Sequence, residues 1–138
     1  AEGRFDEDDI RTRAAELAAF VSGAAAHYGV AAPVALGFSN GANIAAALLA
    51  LHPGVLSGAV LLRAMAPFKV MPAFTLPATP VLLVSGQQDP MIPLAEAQRL
   101  AGDLRTAGAA LTHEVLPASH GLTQSDLTLM SRFLAAQE

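Results

Sequence analysis

Short, almost wholly apolar runs set between stretches of helical periodicity limit the possible folds of this chain more than any other feature. Residues 33–38 carry no polar alternation, which suits a strand covered on both faces. Residues 58–63 and 80–85 read as two further buried strands, and 111–116 as a fourth. Helical character occupies 6–28, 43–51, 94–107 and 124–136. In the first of these Asp6 is the expected N-cap and Ile10, Ala14, Leu17, Val21, Ala24 and Tyr28 form the inward stripe, with Gly29 as the stop. Strands alternating with helices imply an α/β fold, a three-layer arrangement of a parallel sheet with helices on both faces.

Composition narrows the class further. With 138 residues the chain holds one domain with a real core, and no linker or internal repeat marks a second. It is 53% hydrophobic but only 5% aromatic, so Ala, Leu and Val must build the core. A net charge of −4 and a single lysine, Lys69, provide no basic patch for phosphate neutralisation, and nucleic acid is not an expected partner. The absence of cysteine excludes disulfides, thiolate catalysis and iron–sulfur ligation. Apolar runs are far shorter than the roughly 20 residues that span a bilayer, so a soluble, cytoplasmic protein is expected.

The pentapeptide Gly37-Phe38-Ser39-Asn40-Gly41 lies between an apolar strand and an Ala-rich helix. A nucleophilic serine projecting from a sharp strand-to-helix turn needs that context, and glycines two residues to either side remove side-chain collisions there. Ser39 then sits at a helix N-terminus, where the backbone N–H of Asn40 is the natural donor to an oxyanion. A serine hydroxyl needs a base to take its proton and a carboxylate to orient that base. Asp89 follows the third strand directly and His120 follows the fourth, so the C-terminal strand edges can gather Ser39, Asp89 and His120.

Other polar residues have plainer readings. His27, His52 and His113 read as structural, and their spacing from His120 fits no metal-ligand pattern; no cofactor is expected. The acidic run Asp6 to Asp9 reads as a helix start, and Asp103 and Asp126 as exposed helical acids. Between the second and third strands lies a Pro-punctuated loop whose Met65, Phe68, Met71 and Phe74 fit core filler and an acyl-binding wall equally well.

Gly37-Phe38-Ser39-Asn40-Gly41-Ala42-Asn43, Gly86-Gln87-Gln88-Asp89-Pro90 with Ile92-Pro93, and Ser119-His120-Gly121-Leu122 resemble the motifs of the α/β-hydrolase superfamily. Within it they are similar to the small carboxylesterase/phospholipase group related to dienelactone hydrolases. The resemblance runs from Phe5 onward and implies Ser39 as nucleophile, Asp89 as orienting acid and His120 as general base. Ser119 stands where the family usually has glycine before the histidine. Dienelactone hydrolases use cysteine as nucleophile, so Ser39 points to simple ester hydrolysis of a small-molecule substrate.

The resemblance also implies strands, and a loop with another oxyanion donor, ahead of the first helix. This sequence opens Ala1-Glu2-Gly3 and is expected to lack those strands. The 33–38 strand would then lie at a sheet edge, which native proteins avoid leaving bare. A homodimer or association with a missing N-terminal segment is expected to cover it. The alternative to an esterase is a catalytically impaired fragment that acts as a binding or assembly module.

Overall fold

A computed structural model describes residues 6–138; the methionine-less opening and Phe5 lie outside the described residues. The elements run α1 (Glu7–Tyr28), β1 (Val34–Phe38), α2 (Asn40–Leu51), β2 (Gly58–Leu62), β3 (Pro80–Gly86), α3 (Leu94–Thr106), β4 (Ala110–Leu116) and α4 (Gln124–Ala136). The strands form one sheet in the order β1-β2-β3-β4, all parallel, with Leu36 opposite Val60, Leu61 opposite Leu83 and Leu83 opposite His113. The expected parallel α/β architecture is therefore present.

Alternation along β2 and β3 divides the core between the two faces of the sheet. Ala59, Leu61, Val81 and Leu83 pack with Leu48 and Leu49 of α2 and with Leu100 and Leu104 of α3. Val60, Leu62, Leu82 and Val84 face the other way, against Leu129, Met130 and Phe133 of α4. Helices thus cover both faces. Each fully buried Leu or Val contributes roughly 1.5–3 kcal/mol, so these two layers hold the sheet.

Helix α2 is buried along nearly its whole length because α1 lies across its outer side, where Ile10 and Ala14 meet Ala47 and Phe68. Small alanines on both helices permit that close approach. The inward stripe of α1 is Ile10, Ala14 and Ala18, at steps of four; the expected stripe continuing to Tyr28 is not formed, and Tyr28 is 74% exposed. Asp6 caps α1 through the Asp9 N–H, and Gly29 ends it at a left-handed φ of 65°. The 65–79 loop belongs to the core at Phe68 and Leu76, and Met71 and Phe74 pack against it.

The reading of β1 as a strand covered on both faces needs correction. Leu36 is 55% and Phe38 40% exposed, because α4 reaches only the face over β2, β3 and β4 while β1 is an edge strand. Beside that edge, Phe20, Val21, Ala24, Tyr28, Val30 and Pro33 line an apolar groove. Among the described residues no helix is long and apolar enough to cross a membrane.

Candidate active site

β1 ends at Phe38 and α2 begins at Asn40, leaving Ser39 alone to turn the chain. Its backbone adopts φ 56° and ψ −117°, a region costly for a residue with a side chain, of order 1–3 kcal/mol. Two backbone hydrogen bonds hold it there: Ser39 N–H donates to Leu62 C=O at 2.8 Å, and Asn43 N–H donates to Ser39 C=O at 3.0 Å. Gly37 is required by space, since a Cβ on it would lie 2.7 Å from backbone atoms of Ala42. The same argument does not extend to Gly41, where a Cβ would meet nothing within 4 Å. The turn is tight only on its strand side.

Asp89 lies in the turn after β3. Its Oδ1 accepts the N–H groups of Met91 at 2.8 Å and Ile92 at 3.0 Å, which locks the carboxylate before any contact with the histidine. Its Oδ2 accepts from His120 Nδ1 at 2.8 Å. Burial pushes the Asp89 carboxyl upward, but the bonds from His120, Ile92 and Met91 outweigh it and hold its pKa below the ordinary value.

His120 lies between β4 and α4. With Nδ1–H directed to Asp89, the neutral ring presents Nε2 as an acceptor, 3.0 Å from the Ser39 hydroxyl. Phe38 flanks the imidazole, with ring centroids 5.2 Å apart. Gly86 lets the strand that carries Asp89 approach the histidine loop, because a Cβ there would run into the carbonyls of Ala118 and Ser119.

The structure therefore brings together Ser39, Asp89 and His120. Asn40 is the first residue of α2, so its N–H has no acceptor within the helix and lies beside the serine. The other histidines stand apart: His113 shares a 2.9 Å hydrogen bond with Ser85 across β3 and β4, and His27 stacks edge-on against Tyr28. Burial, and behind it the charge of Arg105, hold His113 below its ordinary pKa, with Glu114 opposing.

Three buried polar residues around the site hold positions that the sequence analysis does not assign them. Asn43 is buried in α2, where its Oδ1 accepts the Met65 N–H at 2.9 Å and anchors the loop after β2. Asp126 is fully buried, not an exposed helical acid; it pairs with Arg63, itself buried in a left-handed backbone of φ 56°. An Arg directly after an apolar strand was a signal that its charge needed a buried partner.

Comparison with known proteins identifies the family to which this fold belongs. The phospholipase/carboxylesterase family model matches residues 2–138. MhqD of Bacillus subtilis (strain 168), which carries a hydrolase name, is 36% identical over 128 residues, covering 91% of this chain and 64% of MhqD. The crystal structure of the Bacillus cereus carboxylesterase superposes with a TM-score of 0.90 at 37% identity, covering 99% of this chain and 66% of that one. The carboxylesterase from Mesorhizobium loti gives 0.90 at 31% identity, covering 98% and 65%. The chain thus spans somewhat less than two thirds of the length of these relatives.

Proposed function

Since the chain belongs to the phospholipase/carboxylesterase family of α/β-hydrolases, we propose that it cleaves carboxylic esters through an acyl-enzyme on Ser39. The observation that carries this reading is the continuous relay from Asp89 Oδ2 to His120 at 2.8 Å and from His120 to Ser39 Oγ at 3.0 Å. In the proposed reaction Nε2 takes the hydroxyl proton as Ser39 Oγ attacks the ester carbonyl, and Asp89 stabilises the imidazolium that forms. The Asn40 N–H donates to the developing oxyanion. The imidazolium then protonates the departing alcohol, and His120 activates a water that releases the carboxylic acid and restores Ser39.

The partner reading rests on β1. Among the described residues no strand pairs with its outer edge, beside exposed Leu36 and Phe38, a surface that folded proteins cover. Strands from outside these 138 residues, in a second copy or a longer polypeptide, complete the sheet in this reading. Dispersal as a stable monomer at micromolar concentration, with the β1 amides exchanging freely, would rule that out.

That same edge favours the rival reading, an impaired module that works by assembly. Fluorophosphonate labelling separates the two: modification that disappears in Ser39→Ala supports the esterase, whereas a folded but unreactive wild type supports the module. A panel of p-nitrophenyl esters of increasing acyl length then reads the substrate class.

A further inference from the structure

Arg63 and Asp126 form the one fully enclosed ion pair among the described residues, with no exposure of either side chain. Such a pair is weak evidence for stability, since apolar side chains of similar volume often serve as well. What singles this pair out is where its remaining donors go. Arg63 Nε donates to Ser119 C=O at 2.9 Å, and Nη2 donates to Gly121 C=O at 3.0 Å. Those carbonyls flank His120 on either side, so one planar guanidinium grips the backbone before and after the histidine.

The guanidinium is itself held from two directions. Asp126 accepts from Nη1 at 2.8 Å and from Nη2 at 2.9 Å, a bidentate pairing that sets the plane of the fork. Asp126 is fastened in turn at the start of α4, where its Oδ2 accepts the Thr123 N–H at 2.8 Å and the Thr123 hydroxyl at 2.9 Å. On the sheet side Arg63 N–H donates to Val84 C=O at 2.9 Å, and Nη1 makes a longer contact of 3.4 Å to the same carbonyl. The end of β2, the end of β3, the histidine loop and the first turn of α4 therefore meet on one side chain.

We propose that Arg63, oriented by Asp126, is a positioning residue that sets the angle at which His120 meets Ser39 and Asp89. The proposal rests on the esterase reading for its kinetic consequences only. Fixing the carbonyls of residues 119 and 121 fixes the backbone path through residue 120, and with it the direction of the imidazole. Lysine cannot substitute, because an ammonium lacks the rigid fork that reaches two carbonyls and a carboxylate together.

Arg63→Lys and Asp126→Asn should lower kcat by roughly 10–100-fold with KM nearly unchanged, the pattern of a misplaced catalytic group. Both should also broaden or remove the low-field proton NMR signal of His120 Nδ1–H, which reports the bond to Asp89. The double variant Arg63→Met/Asp126→Leu fills the space without the clamp; it should stay folded and still lose kcat and the signal. In the wild type, the Arg63 Nε–H should exchange slowly. Folded variants with wild-type kcat and an unchanged His120 signal would overturn the proposal, as would rapid exchange of Arg63 Nε–H whatever the variants do. A wild type inert to fluorophosphonate would sink the esterase reading instead, leaving the His120 signal and the Arg63 exchange rate to decide the clamp.

Discussion

His120 Nε2 lies 3.0 Å from the Ser39 hydroxyl, although 81 residues separate them in the chain. The parallel sheet makes this contact possible. Ser39 follows β1, Asp89 follows β3 and His120 follows β4, and parallel strands place all of these ends on one rim. The site is thus assembled by topology, and each of its parts can be tested separately.

Asp89→Asn retains the shape of the side chain while removing the charge that selects the His120 tautomer. Hydrolysis of p-nitrophenyl acetate should fall by roughly 10⁴-fold in kcat, with the fold intact by circular dichroism. A loss of less than tenfold would remove Asp89 from the relay.

Gly37→Ala and Gly41→Ala should move stability in opposite directions, although both glycines belong to the same pentapeptide. At Gly37 the new methyl meets the Ala42 backbone at 2.7 Å, which cannot yield as a side chain would, and a loss of about 1–3 kcal/mol or more is expected. At Gly41, inside α2 with open space around it, alanine should stabilise by about 0.5–1 kcal/mol. Urea unfolding of both variants measures the contrast.

Acid should unfold the protein partly through Asp126. Burial raises its pKa, but the bonds from Arg63 and Thr123 prevail and hold it below the ordinary carboxylate value. A lowered folded pKa means that the stabilisation is complete above the unfolded value of about 3.9 and is lost as pH falls from there toward the folded pKa. Asp126→Asn should flatten the stability curve in that acidic range. Above it the variant should be less stable than wild type by about 3–5 kcal/mol, because the buried Arg63 charge is left unpaired.

His113 adds a second, milder pH dependence. Its folded pKa lies below the ordinary value, so the unfolded chain takes up the proton first as pH falls through about 6.5, and stability declines toward the folded pKa. His113→Gln should reduce that slope in chemical denaturation measured across mildly acidic pH. An unchanged slope would show that His113 contributes nothing to it.

How much of this was legible beforehand depended on how local the signal was. Ser39 announced itself because strand, glycine, serine and helix are consecutive, and Asp89 and His120 because each directly follows an apolar run. Helix α4 was likewise recognisable to its bounds, Gln124–Ala136. Asp126 was misread because a carboxylate in a first helical turn is ordinarily solvated, and nothing within 60 residues of it in the chain discloses Arg63, its partner at a separation of 63. Helical periodicity places Tyr28 inside and an apolar run without alternation places Leu36 there, yet burial requires a neighbour, and none of the described elements covers them.

The order of apolar runs and helices by itself determined a parallel α/β sheet, and the turn residues after its strands determined which side chains reach the rim. These properties follow from backbone sterics and short-range periodicity, which a linear sequence carries in full. Only the tertiary structure decided that Arg63 grips both sides of His120, that Gly37 is sterically required while Gly41 is not, and that the inward stripe of α1 stops short of Tyr28. Each of these depends on which distant atoms come within a few ångströms, and that is set by packing.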